Sequence, residues 1–355
     1  MIIRRVLSGF LAAFVATAAG GVLCSSSAQT HEYIFRDAPF PSAHASSIVE
    51  LKGGDFLTAW FGGTAEGQPD VAIWLSRRSA GHWSAPAEAA RMPGVPCWNP
   101  VLFHSGDGRL WLYFKFGPTF TSWTAARRFS DDEGKSWSTV ERLPAGLLGP
   151  IRTKPLLLPD GVLVGGSSVE SYSSWAAWIE RSADNGKTWT TTGPITLPSL
   201  EASTEPLQPP SEVSPIGIIQ PAVITMGGQH LRLYARSSKG IGRICAADSY
   251  DAGRTWTAAR LLDLPNPNSG IDAVRLHDGR IVLIYNDTAS GRSPLNLAVS
   301  KDGEHFTNFA TLENQPGEFS YPALIEGSDG SLHMTYTYNR KTIAYVEFPI
   351  SSVPK

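Results

Sequence analysis

Ser130-Asp131-Asp132-Glu133-Gly134-Lys135-Ser136-Trp137 is a stretch that the chain uses three times. It returns as Ser182-Ala183-Asp184-Asn185-Gly186-Lys187-Thr188-Trp189 and as Ser249-Tyr250-Asp251-Ala252-Gly253-Arg254-Thr255-Trp256. The shared pattern is Ser-x-Asp-x-Gly-x-Ser/Thr-Trp. Asp and Ser side chains bond neighbouring backbone N–H groups and hold a tight turn. Gly takes a positive φ without steric penalty, and Trp buries a large ring beneath the turn. Three full copies make a repeat, and a repeat decides the architecture before any single motif does.

Degenerate copies extend the series. Ser300-Lys301-Asp302-Gly303 keeps the first half, with Phe306 near the Trp position, and Ser76 to Trp83 keeps the first Ser, a shifted Gly81 and the Trp. The first Ser falls at 76, 130, 182, 249 and 300, in steps of 54, 52, 67 and 51 residues. Such a step holds four short strands with their loops. The long step contains Leu197 to Pro215, rich in Pro, Ser and Glu, which reads as an inserted surface loop.

A second pattern precedes each box. An apolar run leads into a Gly-containing turn and then into another apolar run, a strong short-range hairpin signal. The six copies begin at Ser47, Val101, Leu156, Ala222, Ala273 and Ala323, with turns at Gly53-Gly54-Asp55, Asp107-Gly108, Asp160-Gly161, Gly227-Gly228, Asp278-Gly279 and Asp329-Gly330. The sixth unit ends with Thr342 to Phe348, one strand short. Glu32 to Phe35 is placed to supply that outer strand and close a ring, leaving only short edges. The expectation is an all-β fold, a six-bladed β-propeller over residues 29–355.

Composition agrees with one large all-β unit: 355 residues, 42% apolar, with 34 Gly and 11 Trp. Net charge is −2, and the absence of a basic stripe argues against a nucleic-acid partner. Met1 to Arg5 is a basic leader, Val6 to Leu23 an apolar run, and Ser26-Ser27-Ala28 a small-residue cleavage site. This reads as a secretory signal peptide spanning residues 1–28, so the mature chain is expected in the periplasm or outside the cell. Cys24 would suit a lipoprotein, but Leu23 is too large for the usual lipobox. No later apolar run is long enough to span a bilayer. Cys97 and Cys245 read as buried free thiols. No Cys/His cluster has zinc spacing, and neither metal nor cofactor is expected.

Ligands of such rings bind at one mouth, where each blade's first strand begins and its second strand ends. The repeat alignment places His44, Trp98, Asn99, Arg152, Lys154, Gln220, Asn268, Ser269, Asp272, Glu318 and Tyr321 at the strand starts. After the second strands come Glu66, Asp70, Lys115, Glu170, Arg236, Asn286, Arg292 and Arg340.

The eight-residue repeat is identified as the Asp-box, or BNR repeat, and nearly the whole chain after residue 28 resembles the sialidase family. That resemblance implies an exo-glycosidase that grips a sugar carboxylate with three Arg. It also implies a Tyr nucleophile polarised by a Glu, and an Asp as acid/base, a departure from the two-carboxylate rule. Arg292, 29 residues before Tyr321, resembles the third Arg, and Arg236 in Tyr234-Ala235-Arg236-Ser237 the second. The loop Gly62 to Asp70 occupies the acid/base position, with Asp70 or Glu66 as candidate; an acid there must hold a proton near neutral pH. Two positions depart from the family. His44 stands where the first Arg is expected, and Gln220 where the assisting Glu is expected, leaving Glu318 as the carboxylate nearest Tyr321 in sequence.

The catalytic candidates are therefore Asp70, Glu66, Tyr321, Glu318 and His44. The candidate substrate contacts are Arg152, Lys154, Arg236, Arg292, Asn99, Gln220 and Asp272. Arg suits a carboxylate because its planar fork binds two oxygens, so the expected partner is a glycan bearing an acidic sugar. A uronate lyase, with His44 or Tyr321 abstracting a proton, and a non-catalytic glycan-binding propeller are the alternatives. The boxes themselves are expected to be structural.

Overall fold

The computed structural model describes residues 30–198 and 215–355. The expected leader and most of the Leu197–Pro215 insert lie outside the described residues. Within them the protein is all-β, with one 3-10 turn at Ile350–Ser352 and no α-helix.

The strands form six successive antiparallel units. The first comprises Ser42–Glu50, Phe56–Gly63 and Ala72–Ser79, with the short His82–Trp83 and Ala87–Ala90 both against its third strand. The second comprises Cys97–His104, Leu110–Phe116, Thr124–Ser130 and Glu141–Arg142. Leu156–Leu157, Leu163–Glu170, Ser174–Ser182 and Thr190–Ile195 make the third. Ile216–Gly227, His230–Ser237, Arg243–Ser249 and Arg260–Pro265 make the fourth. Asp272–Arg275, Ile281–Tyr285, Leu295–Ser300 and Thr307–Glu313 make the fifth. The sixth is Phe319–Glu326, Ser331–Tyr338 and Thr342–Pro349, completed by Thr30–Tyr33 from the start of the described chain.

The completing strand sits two residues earlier than the sequence suggests. Thr30 pairs with Glu347 and Tyr33 with Ala344. Ile34 and Phe35 are buried side chains of the neighbouring core, Phe35 stacking on Trp60 at 5.0 Å. Units three and four are joined by a two-residue parallel pairing, Ser174 with Ile216 and Trp175 with Gly217. Gly217 is required there, because a Cβ would lie 1.9 Å from the Trp175 carbonyl oxygen.

Buried side chains collect between units. Phe61, Ile73 and Leu112 pack between units one and two; Phe103, Leu163 and Trp189 between two and three; Ile179, Leu233 and Ala247 between three and four. Ile244, Leu264 and Leu283 lie between four and five, and Ile284, Met334 and Val346 between five and six. A sixth core, with Trp60, Ala323 and Tyr345, joins the last unit back to the first. Second strands are therefore covered on both faces. Phe56–Gly63 and Leu110–Phe116 are buried at every position, which is why they are mostly apolar rather than alternating, with Thr58 and Lys115 as buried polar exceptions.

The box turns sit at the far end of the units from the candidate site. Leu110 pairs with Ser130, where the first box begins, whereas Trp98 pairs with Lys115 at the opposite end. In each full box the Ser hydroxyl donates to the Asp and accepts the Gly N–H, while the Asp takes both N–H and O–H of the later Ser or Thr. The left-handed region holds Gly and also the residue before it: Glu133, Asn185 and Ala252 have φ of 59°, 61° and 59°. Those hydrogen bonds hold the Asp251 carboxyl down at about 2 against the opposing effect of burial. Cys97 and Cys245 are both buried and free, their thiols pushed up to about 12 by burial. Among the described residues no helix is long and apolar enough to cross a membrane.

Candidate active site

The first strands of four units are broken at matching positions. Pairing slips between His44 and Ser47, Trp98 and Val101, Ile219 and Ala222, and Ser320 and Ala323. Inside each slip one non-glycine residue is left-handed: Ala45, Asn99, Gln220 and Tyr321, with φ of 57°, 39°, 54° and 51°. Such a residue costs about 1–3 kcal/mol and persists where its surroundings over-determine it. A bulge re-aims side chains and ends regular pairing. In three of the four, the next residue is Pro (Pro100, Pro221, Pro322), which has no N–H to lose from the ladder. This repeated X-Pro was the sequence signal for the site and is more local than the hairpin alignment.

Tyr321 is the centre of the arrangement. The guanidinium carbons of Arg152, Arg236 and Arg292 each lie 5.4 Å from its ring centroid. Arg236 Nη1 donates to the Tyr321 hydroxyl at 2.6 Å and to Gln220 Oε1 at 3.2 Å. Its Nη2 donates to both the carbonyl and side-chain oxygens of Asn268. Arg292 Nη1 donates to Glu318 at 2.7 Å and to Ser320 Oγ at 3.3 Å. Arg152 is 1% exposed and donates only to the Pro322 carbonyl; its Nε and Nη1, and Nε of Arg236, are buried without a partner. Burial brings Arg152 down to about 10.

His44 packs on Tyr321 with ring centroids 4.4 Å apart. It is 1% exposed, and neither ring nitrogen has a partner. Burial, and then the charges of Arg340, Arg292, Arg152 and Arg236, hold it well below the ordinary imidazole range, so it is a neutral ring. Asn99 is buried in the neighbouring bulge.

The other sequence candidates have partners of their own. Lys154 binds the carboxylate of Asp272 at 3.0 Å, and Asp272 also accepts the N–H groups of Ala273 and Leu324. Glu318 is shared by Arg292, Arg340 and Ser320. Burial opposes its ionisation, but the Arg340 hydrogen bond and the Arg292 charge outweigh burial and lower its pKa. No hydrogen bond joins Glu318 to Tyr321. Glu66 pairs with Arg340. Asp70 accepts from Thr64 N at 2.8 Å and Thr64 Oγ1 at 2.7 Å, and the hydroxyl bond leads in holding it below the usual carboxylate range. Asp70 is therefore biased toward its ionised form in the free protein. The aligned loop position that does hold its proton more tightly is Glu170, raised by burial and set beside Gln220 Nε2 at 3.5 Å. Among the described residues no cluster of His, Cys, Asp and Glu is arranged to hold a metal ion.

The profile of the BNR repeat-like domain matches residues 54–334. The chain belongs to the BNR repeat-like family. No curated protein sequence matches it. Among solved structures it is similar to a protein of unknown function from Dyadobacter fermentans, at TM-score 0.73 and 17% identity, covering 90% of this chain and 98% of that one. It is also similar to the NanB sialidase of Streptococcus pneumoniae, at TM-score 0.72 and 13% identity, covering 90% and 70%. The intramolecular trans-sialidase of Ruminococcus gnavus follows at TM-score 0.68 and 13% identity, covering 91% and 97%. These likenesses establish the sialidase-like fold of this family member.

Proposed function

We propose that the chain is a six-bladed propeller, exported by its leader, that hydrolyses a terminal acidic sugar from a glycan. The observation that carries this reading is the set of unpartnered donors on Arg152, Arg236 and His44 around Tyr321. A buried cation without a counter-ion is costly, and a planar carboxylate is the group that a pair of guanidinium forks suits best. Six cores linking each unit to the next, and the last to the first, support the blade count.

Two contacts tie distant units together beneath Tyr321. Arg152 of unit three reaches Pro322 of unit six, and Lys154 of unit three reaches Asp272 of unit five, which in turn holds Leu324. Pro322 and Leu324 follow Tyr321 down its strand, so these contacts floor the site beneath the Tyr.

In this reading Arg152, Arg236 and Arg292 orient the carboxylate. Arg292 gives up Glu318 to do so, and Glu318 keeps Arg340. Tyr321, whose hydroxyl accepts from Arg236, attacks the anomeric carbon as the glycosidic C–O bond breaks, its phenolic proton passing to the neutral His44 packed against it. Water then attacks the glycosyl-Tyr321 bond, releases the sugar and restores Tyr321. Asp70 protonates the leaving oxygen once the sugar covers it, since burial raises a carboxyl. The neutral His44 favours a second reading. An unprotonated imidazole 4.4 Å from the Tyr ring can instead take a carbon-bound proton in uronate elimination. The test is incubation of purified residues 29–355 with sialyl- and uronyl-terminated glycans, read by product mass and ultraviolet absorbance. Hydrolysis adds water and gives no conjugated product. An unsaturated uronate selects elimination, and binding without turnover sinks both.

A further inference from the structure

Lys115 is 0% exposed, in the second strand of unit two, and its ammonium donates to the carbonyl of Pro150. Glu180, in the third strand of unit three, accepts Leu148 N at 3.0 Å, Gly149 N at 2.7 Å and Ser167 Oγ at 2.9 Å. Two buried charged side chains thus grip three consecutive residues, one by its N–H groups and carbonyl side after the other. Gly149 is itself locked, with φ of 62° and Tyr113 Cδ1 2.5 Å from where a Cβ would stand. Ile151 N then donates to Gly166 O at 2.9 Å, and the next residue is Arg152.

Arg152 needs such support. Arg292 is held by Glu318, and Arg236 by Asn268 and Gln220. Arg152 has no carboxylate partner, and its guanidinium is placed by one hydrogen bond to the Pro322 carbonyl, its packing on Tyr321 and the backbone that carries it. Burying two ions solely for stability would be a poor arrangement, because a well-packed apolar pair serves as well or better. We infer that Lys115 and Glu180 are positioning residues that hold segment 148–151 so that Arg152 faces Tyr321. This rests on the reading of Arg152 as a substrate contact. Neither residue touches substrate.

The groups facing Lys115 are Glu180 and Glu170, and their charges only partly offset its burial, which brings it down to about 7. Below that pH the clamp is a charge-assisted hydrogen bond, and above it a weaker neutral one. Arg152 should therefore be held less firmly as pH rises through neutrality.

The experiment compares Lys115→Met, Glu180→Gln and Arg152→Met, with the double variants of the first two on Arg152→Met. KM, kcat, melting temperature and crystal structures are measured. Expected are a rise of about tenfold in KM for Lys115→Met at pH 6 with kcat little changed, a melting temperature not lowered, and a displaced Arg152 guanidinium. The parent's rise in KM across pH 7 should vanish in Lys115→Met. On the Arg152→Met background neither change should raise KM further, because residues acting through one group do not add. An unmoved Arg152 in the Lys115→Met and Glu180→Gln crystals, or full additivity in the double variants, overturns the inference. Absence of turnover by the parent on every acidic glycan overturns the proposed reaction instead, and the crystal comparison still decides the clamp.

Discussion

The two ends of each repeat unit are built on opposite principles. At the box end the Ser and Asp of the pattern have their partners in each full turn. Asp184 takes the N–H and O–H of Thr188 and the Ser182 hydroxyl, and the same net recurs at Asp132 and Asp251. At the mouth end Arg152, Arg236 and His44 keep buried donors or acceptors without partners, on or beside backbone in unfavourable conformations. Native proteins pair nearly all buried polar groups. A chain that satisfies the Ser and Asp of its three full box turns, and leaves these three side chains at the other end short of partners, has kept that end for something outside itself.

Arg152 is the strongest place to break this contrast. Arg152→Met removes a buried, unpaired cation and the contact proposed for the carboxylate. A charged hydrogen bond is worth about 1.5–3 kcal/mol, so kcat/KM on an acidic glycan should fall about 10- to 100-fold or more. The melting temperature should rise, because a desolvated charge is gone. Kinetics and a thermal melt on the same preparation check both. A loss of stability with unchanged kinetics would move Arg152 to the structural side.

His44 gives the next largest effect, and it appears in stability against pH. Its folded pKa is depressed, so the unfolded chain binds the proton first as pH falls below the ordinary imidazole value. Stability from this residue is therefore present at pH 7 and lost on acidification, by about 1.4 kcal/mol per pH unit once the unfolded ring is charged. Denaturant unfolding at pH 7 and pH 5 should show a difference about 2 kcal/mol smaller in His44→Gln than in the parent. An equal difference in both would mean that His44 is protonated in the folded state.

This contrast also explains what the sequence disclosed. Box turns are local: Ser, Asp, Gly and Thr lie within seven residues and bond one another, so their order in the chain is their structure. Hairpins and strand counts are nearly as local. The mouth is assembled from residues far apart, and the sequence places them at the right ends of strands without showing who holds whom. Lys154 and Asp272 both look like substrate contacts and in fact bind each other across 118 residues. Asp70 looks like an acid, but the neighbour that sets its charge is Thr64, in the same loop. Lys115 looks like a mouth residue and is wholly buried behind it. The left-handed X-Pro bulges, by contrast, are written locally, as Asn99-Pro100, Gln220-Pro221 and Tyr321-Pro322.

The box end should answer mutation in the opposite sense to Arg152. Asp184→Ala removes three hydrogen bonds from one turn, and by analogy with a lost helix cap the stability loss is about 1–2 kcal/mol. Turnover per folded molecule should not change. Since the box carboxyls are depressed, the stability they give is present above the ordinary carboxylate pKa and is lost as pH falls through their folded values, for Asp251 between about 4 and about 2. An urea titration and a rate measured at matched folded fraction separate the two. Lost turnover at full stability would show the boxes reaching into the chemistry.

Thr64 tests whether the two principles mix at one residue. It gives Asp70 a box-like pair of hydrogen bonds, through N and Oγ1 to the same carboxylate oxygen, yet it does so in the loop over the mouth. The hydroxyl bond is the leading cause of the lowered pKa. Thr64→Val deletes the hydroxyl, keeps the shape and leaves the backbone N–H. Asp70 should then protonate at higher pH. If it is the acid that serves the leaving oxygen, the basic limb of the kcat/KM profile moves to higher pH, with a gain of about threefold at neutral pH. Because the residue is exposed, stability should hardly move. A pH profile superimposable on the parent's would remove Asp70 from the reaction and leave proton transfer to His44 and Tyr321, which is the arrangement elimination requires.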